Sequence, residues 1–169
     1  MELVVAVDRG WGIGYRGELL CRVSADLKQF RALTTGKTVL LGSKTLATFP
    51  GGKPLKNRRN IILSRRPDYT VAGAEVAHNE REALALLSEN ETAVVIGGES
   101  IYRLLLPYCD TAYVTKFDIT KEADAFFPDL DRDESWVLTE ESEPQMASET
   151  DSHPGMTYRF CTYRRKDSL

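Results

Sequence analysis

The sequence predicts an α/β fold with a largely parallel sheet. Short, nearly continuous apolar and β-branched runs alternate with helical segments through most of the chain. Strands of this composition are typical of a sheet covered on both faces, and alternation with helices favours parallel pairing. Near the carboxyl terminus, two segments alternate apolar and polar residues, which predicts an antiparallel hairpin at the sheet edge.

The strands can be placed from these runs. Buried strands are predicted at residues 3–7 (LVVAV), 38–42 (TVLLG), 60–64 (NIILS), 93–98 (AVVIGG) and 112–117 (AYVTKF). The edge hairpin comprises residues 136–141 (WVLTEE) and 157–165 (TYRFCTYRR). An acidic loop, SEPQMASETDSHPG, joins its strands, and we interpret this loop as solvated rather than functional.

Four helices are predicted between the strands. Ser24 is the expected N-cap of the first, which runs to about Leu33 with Asp26 in its first turn. Asn79 is the expected N-cap of the third, whose sequence is EREALALLSEN. The second helix runs from Lys44 to Phe49 and ends at Pro50-Gly51-Gly52, and the fourth runs from Gly98 to Leu106 and ends at Pro107.

Composition narrows the functional classes. A length of 169 residues favours one domain spanning 1–169, and the mixed charges with a net of −3 give no reason to expect nucleic acid or an anionic membrane. Three scattered cysteines suit a reduced, cytoplasmic protein, and the N-terminal apolar run lacks the basic leader of a signal peptide. Two histidines in polar surroundings exclude a multi-histidine metal site, so no metal is expected.

The stretch GIGYRG (residues 12–17) matches the spacing of the dinucleotide-binding fingerprint but not its context. That fingerprint needs a strand ending at the first glycine and a helix opening at the third. Here four residues intervene after the strand, and several non-helical residues follow Gly17. The stretch therefore predicts a long glycine-rich loop at the carboxyl end of the first strand. It is either a lid over a ligand or a connector without a role.

Two other glycine-bearing turns follow buried strands. Gly42-Ser43-Lys44-Thr45 lacks the glycines of a phosphate loop, yet it places a glycine, a lysine and hydroxyls at a helix start. Gly97 and Gly98 stand between a buried strand and a helix, where backbone N–H groups can approach a pyrophosphate. Each turn is an anion site, or else the first is an ordinary helix start and the second a tightly packed turn.

Asp26 is the carboxylate of greatest interest. It shares a helix face with Phe30 and Leu33 at i+4 and i+7. A carboxylate on an inward, apolar face is costly unless it has a partner. Asp26 therefore either caps its own helix or binds a cationic or donor-rich group.

In order and spacing these pieces resemble the dihydrofolate reductase family over about residues 3–163. The matching stretches are GIG (12–14), ADLKQF (25–30), TTGKTVLLGSKT (34–45), RRNIILSRRP (58–67), VIGGESIY (95–102), YVTKFD (113–118) and ADAFFP (123–128). The resemblance implies an eight-stranded, mostly parallel sheet with about four flanking helices. It also implies NADPH-dependent reduction of 7,8-dihydrofolate to tetrahydrofolate, with hydride transfer to C6 and protonation at N5, in support of one-carbon metabolism.

The resemblance also assigns site residues. Asp26 matches the acid that anchors the pterin, and Thr115 matches the hydroxyl that partners this acid. Arg58 matches the arginine that binds the glutamate α-carboxylate. The remaining substrate contacts are Val5, Ala6, Leu27, Phe30, Phe49, Leu55 and Ile96.

Cofactor contacts are implied in the same way, and Gly97-Gly98 is expected to carry a cis peptide. The 2′-phosphate that distinguishes NADPH from NADH would be bound by Lys44, Ser64 and Arg65. The other implied cofactor residues are Ala6, Ile13, Gly14, Leu19, Gly42, Ser43, Thr45, Leu63, Ile96, Gly97, Gly98, Glu99, Ser100, Ile101 and Tyr102.

The chain departs from the family pattern at three positions. Cys21 stands where tryptophan is usual, Ser24 where proline is usual, and Ser43 where arginine is usual. Two alternatives stay open beside dihydrofolate reduction: a pyrimidine reductase of riboflavin synthesis with the same fold, and a non-catalytic pterin- or nucleotide-binding relative. The family reading implies a monomer with a small-molecule substrate that also binds antifolate inhibitors.

Overall fold

An eight-stranded path of hydrogen-bonded strands forms the centre of the computed structural model, which describes all 169 residues. The strands are, in chain order, β1 (Glu2–Val7), β2 (Gly12–Tyr15), β3 (Glu18–Leu19), β4 (Thr38–Gly42), β5 (Arg59–Leu63), β6 (Glu75–Ala77), β7 (Ala93–Gly97), β8 (Thr111–Phe117), β9 (Ala125–Phe126), β10 (Trp136–Glu141), β11 (Gln145–Met146) and β12 (Thr157–Arg165). The helices are α1 (Ser24–Thr34), α2 (Ser43–Leu46), α3 (Glu80–Leu86) and α4 (Glu99–Leu105).

The sheet has the order β10-β12-β8-β1-β7-β4-β5-β6, with β11 added to one end of β12. All pairs from β8 to β6 are parallel, whereas β12 is antiparallel to both β8 and β10. The predicted buried strands and edge hairpin are confirmed to within one residue at each end. The short strand β6 was not predicted, because three residues carry too little periodic signal.

Both faces of the sheet are covered, as the strand composition predicted. On β1 the side chains of Leu3, Val5 and Val7 enter the largest core cluster. Val4 and Ala6 face the other side, where two smaller clusters lie. One of these contains Ile62 and Ile96 with Phe30 of α1 packed against it, and the other contains Cys21, Phe117 and Tyr158. The functional cleft opens on this second face.

The glycine-rich stretch is a hairpin rather than the predicted loop. Gly14 pairs with Leu19 and Tyr15 with Glu18, and β2 also pairs with β9. The two turn residues, Arg16 and Gly17, have φ angles of 50° and 80°. Positive φ at both central residues is the geometry that matches the twist of hairpin strands, and Gly17 adopts it without steric cost.

Asp8 anchors the start of this hairpin. Its carboxylate is buried and accepts hydrogen bonds from the amides of Gly10 (2.9 Å), Gly12 (2.8 Å) and Lys121 (3.0 Å). One side chain therefore holds both the glycine-rich segment and the connection between β8 and β9.

The helix ends differ from two of the expectations. Asn79 caps α3 as predicted, because its side chain accepts from the Glu82 amide at 2.9 Å. Ser24, in contrast, is the first helical residue of α1, and the N-cap position is held by Val23, whose side chain cannot cap. The second helix is shorter than predicted, since α2 ends at Leu46 and Pro50–Gly52 form a 3₁₀ turn.

A charged network holds the sheet edge opposite the cleft. The guanidinium of Arg59 on β5 forms ion pairs with Glu75 at 2.6 Å and Glu91 at 2.8 Å. Glu91 also accepts from the Thr38 hydroxyl and from the amide and hydroxyl of Ser88. These donors hold the pKa of Glu91 at about 2, well below its usual range.

We expect Glu91→Gln to lower the melting temperature at pH 7 by about 2–4 °C, because a charge-assisted network loses its anion. The contribution of a carboxylate with a depressed pKa is present above its unfolded value and is lost as pH falls through the folded value. The difference between the two proteins should therefore shrink as pH is lowered from about 4.5 to about 2. Thermal unfolding followed by circular dichroism checks both points, and a constant difference across this range would contradict them.

Candidate active site

Asp26 and Thr115 meet in the cleft between α1 and the sheet. The Thr115 hydroxyl on β8 donates a hydrogen bond of 2.6 Å to Oδ1 of Asp26. Asp26 accepts no hydrogen bond from its own helix. Of the two alternatives open at the sequence level, capping of its own helix is therefore wrong.

The electrostatic surroundings of Asp26 favour the protonated form. Burial raises the pKa of the Asp26 carboxyl, and the hydrogen bond from Thr115 offsets this only in part. No lysine or arginine forms an ion pair with Asp26. One carboxyl oxygen is thus free to bind a donor-rich ligand. The raised pKa also helps the carboxyl group to retain its proton.

Strand register brings the predicted backbone contacts beside Asp26. Ala6 on β1 lies opposite Thr115 on β8, so the two residues share a face of the sheet. Ile96 ends β7 on the same face, in the cluster against which Phe30 packs. The side chain of Val5 enters the opposite core, so Val5 can border this cleft only through its backbone.

An apolar wall adjoins the carboxylate. Phe30, Phe49 and Leu55 are all partly buried and pack against the same cluster as Ile96. Leu27, one residue past Asp26, is 41% exposed. A polar anchor beside an open apolar wall suits a flat, donor-bearing heterocycle with an apolar extension.

Arg58 lies beyond this wall without an acidic partner. Its guanidinium donates to the hydroxyls of Thr34 (2.9 Å) and Thr35 (3.3 Å) and to the carbonyl of Lys56 (2.8 Å). Burial and the nearby Arg31 lower the pKa of Arg58, so an anion would be favoured there. The three bonds orient the guanidinium and leave it able to take a carboxylate.

The second half of the cleft is built on glycines. Gly97-Gly98 carries the expected cis peptide. A Cβ at Gly98 would lie 3.2 Å from the Thr45 hydroxyl, and one at Gly42 would lie 3.1 Å from Ile101. The starts of α2 and α4 therefore pack side by side, in contact that a larger residue at either glycine would disturb.

Free backbone donors line this pair of turns. The first amides of a helix have no intrahelical acceptor, and neither α2 nor α4 has a side-chain cap. The amides of Gly98, Glu99 and Ser100 find no acceptor elsewhere in the protein. Adjacent N–H groups beside small residues fit the pyrophosphate of a dinucleotide.

A basic group of residues continues the same edge. Gly42 pairs with Leu63, so Ser43 and Lys44 follow β4 beside Ser64 and Arg65, which follow β5. Lys44 and Arg65 form no ion pair. Unpaired cations at this position fit an additional phosphate.

Sequence reasoning missed His78 at this edge. Leu63 pairs with Ala77, the last residue of β6, and Nδ1 of His78 lies 2.8 Å from the Ser64 carbonyl oxygen. The missed signal was the short strand β6, because recognising it would have aligned His78 with Ser64.

The remaining predicted cofactor residues have defined but different surroundings. Ile13 packs partly against the main core, and Leu19, which pairs with Gly14, is 53% exposed. The Glu99 carboxylate accepts from the Phe126 amide at 2.6 Å, which links α4 to β9. The buried Tyr102 hydroxyl donates to the Val4 carbonyl at 2.6 Å, which links α4 to β1.

Cys21 is buried beside the cleft. Its thiol lies 3.9 Å from the Met156 sulfur, in the cluster that contains Phe117 and Tyr158. Burial raises the pKa of the Cys21 thiol, which keeps it protonated and a poor nucleophile. Cys21 therefore serves as a small, uncharged side chain that packs against Met156.

The fold and this cleft define a class of protein: an α/β protein whose cleft fits a flat heterocycle beside a carboxyl group and a dinucleotide at its glycine-bearing turns. The dihydrofolate reductase family model matches residues 1–165. A dihydrofolate reductase of Neisseria meningitidis is 38% identical over 165 residues, covering 98% of both chains. One from Mycobacterium tuberculosis is 38% identical over 157 residues, covering 90% of both chains.

A solved structure gives the same result. The dihydrofolate reductase of Enterococcus faecalis, complexed with NADP(H) and RAB-propyl, superposes with a TM-score of 0.86 at 34% identity. The match covers 98% of this chain and 96% of that one. The chain belongs to the dihydrofolate reductase family, and it is an NADPH-dependent oxidoreductase that reduces dihydrofolate, a reaction of one-carbon metabolism. This assignment argues against both alternatives left open by the sequence, the pyrimidine reductase and the non-catalytic relative.

Among the helices, none has the length and apolar character needed to cross a membrane.

We expect Asp26→Asn to become more stable relative to the parent as pH rises. An acid whose folded pKa lies above its unfolded value favours folding at low pH, and this contribution is lost as pH rises through the folded pKa. The amide stays neutral at every pH and can still accept from Thr115. Urea unfolding between pH 4 and pH 8 measures the difference.

Asp118→Asn provides the matched control. Arg9 and Thr157 lower the pKa of Asp118, so its contribution to stability changes only below its unfolded pKa, and the difference between Asp118→Asn and the parent should stay constant from pH 4 to pH 8. The same slope for both variants would mean that the burial of Asp26 is not the cause.

Proposed function

We propose that Asp26 anchors the pterin ring of dihydrofolate and promotes protonation at N5, beside the C6 that receives hydride. The observation that carries this proposal is the Asp26–Thr115 bond of 2.6 Å, made by a carboxyl group that pairs with no lysine or arginine. The Asp26 carboxylate would accept hydrogen bonds from the pterin 2-amino group and the adjacent ring nitrogen. NADPH, when bound, supplies the hydride.

The other residues orient the substrate. Thr115 holds one carboxyl oxygen, which directs the second toward the ring. Phe30, Phe49 and Leu55 would pack against the pterin and benzoyl rings and exclude water, which strengthens each polar contact with Asp26. Arg58 would bind the glutamate α-carboxylate, because its guanidinium is oriented but has no acidic partner.

The two glycine-bearing turns at the starts of α2 and α4 would bind the cofactor. Gly42–Thr45 and Gly97–Tyr102 supply unpaired amides and close-packed turns for the pyrophosphate. Lys44, Ser64, Arg65 and His78 would hold the 2′-phosphate that distinguishes NADPH from NADH. With Ser43 at the position usually occupied by arginine, Lys44 and Arg65 are the cations left for this task.

We also propose the oligomeric state, the domain bounds and the cellular location of the protein. One chain contributes both the carboxyl and the glycine edges of the cleft, which supports a monomer built as one domain over residues 1–169. Three buried, unpaired cysteines support a reduced, cytoplasmic setting. Light scattering of the purified protein at micromolar concentration tests the monomer.

We expect Asp26→Asn to lower turnover of dihydrofolate at pH 7 by about 10²–10⁴-fold, because the group that promotes protonation at N5 is lost. Because burial raises the pKa of Asp26, parent turnover should fall as pH rises through that pKa, and the variant should lack this inflection. Loss of nicotinamide absorbance at 340 nm measures the rate.

NADPH affinity, measured by fluorescence titration, is the control for this variant and should stay within about twofold of the parent. Parent-like turnover in Asp26→Asn would remove Asp26 from the mechanism. Absence of turnover in the parent, with both ligands bound, would contradict the proposed reaction itself.

We expect Lys44→Ala combined with Arg65→Ala to weaken NADPH binding by at least about tenfold and NADH binding by less than about twofold. Two charge-assisted bonds to the 2′-phosphate would be lost, and NADH has no such group. Arg81→Ala combined with Lys166→Ala is a control with the same change of charge. Equal losses for the two cofactors would reject the phosphate site.

A further inference from the structure

The helix that carries Asp26 has no cap of its own. Val23 holds the N-cap position with extended backbone angles, and its apolar side chain makes no capping hydrogen bond. A helix start without such a partner leaves orphan amides in its first turn. Asp26 lies in that first turn, so its position depends on whatever holds the helix start.

The cap comes instead from the loop of residues 147–156, near the other end of the chain. Oδ1 of Asp151 accepts the amide of Ser24, the first helical residue, at 2.9 Å. Oδ2 of the same carboxylate accepts the amide of Ser148 at 2.8 Å, which closes the 147–156 loop on itself. Asp151 therefore joins this loop to the start of α1 across 127 positions of sequence.

Further contacts place the 147–156 loop firmly against the same segment. The Arg22 amide donates to the Ser152 hydroxyl at 2.9 Å, and the Ser152 amide donates back to the Arg22 carbonyl at 3.0 Å. Met156 contacts the Cys21 thiol, and Ala147 is buried in the same cluster. The loop thus hydrogen-bonds to Arg22 and Ser24 and shares an apolar cluster with Cys21 and Val23.

The pKa of Tyr158 is affected by the charges of both Asp151 and Asp26. It stands just after the 147–156 loop, and its ring is buried in the cluster with Cys21. Burial raises the pKa of Tyr158, and the charges of Asp151 and Asp26 raise it further. Both carboxyl groups therefore lie close enough to the Tyr158 hydroxyl for their charges to act on it.

We propose that Asp151 is a positioning residue for Asp26: it caps α1 from the 147–156 loop and so holds the substrate-anchoring carboxyl group against Thr115. The inference rests on the proposed role of Asp26. The acidic loop interpreted from sequence as solvated thus has a structural task in the active site.

Three variants test this role. Asp151→Ala removes the acceptor, whereas Asp151→Asn keeps a carbonyl oxygen for the Ser24 amide. Asp133→Ala is the matched control, because Asp133 accepts the Ser135 amide at 2.9 Å in a carboxylate–amide bond outside the cleft. If Asp151→Ala is not folded by circular dichroism, Asp151→Glu, which moves the carboxylate by one methylene, takes its place.

The direct readout is the titration of Asp26 itself, followed by carboxyl ¹³C NMR without ligands. Loosening the first turn should expose Asp26 to water, so its pKa in Asp151→Ala should fall toward the ordinary aspartate value. In parallel, KM for dihydrofolate should rise about fivefold, the factor that corresponds to a typical cap contribution of about 1 kcal/mol. NADPH affinity should stay within about twofold. Asp133→Ala should resemble the parent in every measurement. Asp151→Asn keeps the acceptor for Ser24 but loses the one for Ser148, so it should lie closer to the parent than to Asp151→Ala.

Two results would overturn the proposal. One is a folded Asp151→Ala whose Asp26 titration and KM are those of the parent. The other is an Asp151→Asn that changes both as much as Asp151→Ala does. Failure of the proposed function is seen separately, as parent-like turnover in Asp26→Asn, and the NMR titration reads the positioning of Asp26 without any turnover.

Discussion

A single hydrogen bond, from the Thr115 hydroxyl to the Asp26 carboxyl, joins helix α1 to the middle of the sheet. The bond matters because α1 offers only partly buried apolar contacts to the sheet around Asp26, and a carboxyl group on that face needs a donor. The register between β1 and β8 places Ala6 beside Thr115, and so sets the position of the bond in the sheet. The apolar wall, the two glycine-bearing turns and Arg58 lie around this bond.

Elsewhere the site uses close backbone approach in place of charged side chains. Gly42 and Gly98 allow α2 and α4 to start in contact, which brings two sets of free amides to one edge of the sheet. Cations enter only at the periphery of the cleft, as Lys44 and Arg65 on one side and Arg58 on the other. In the proposed assignment, these locally placed, unpaired cations would let a protein with a net charge of −3 bind two anionic ligands.

The chain connects its two ends through the cleft. Asp8 holds the glycine-rich hairpin and the β8–β9 connection, while Asp151 holds the start of α1. Both are acidic residues that satisfy backbone amides instead of pairing with lysine or arginine. Each also bonds across more than 100 positions of sequence, to Lys121 or to Ser24, and local patterns do not show such bonds.

The sequence by itself determined the alternation of strands and helices and the buried strands to within one residue, because periodicity and glycine placement are local signals. The candidate site residues came from the resemblance of its motifs to the family. The sequence could not show that Ser24 is not a cap, that GIGYRG forms a hairpin, or that His78 lies beside Ser64. Only the tertiary structure decided these points, and it also showed that Asp26 accepts from Thr115 and does not cap its own helix. The physical reason is that each depends on a partner far away in sequence, such as Thr115 or Asp151, and such pairing leaves no periodic trace.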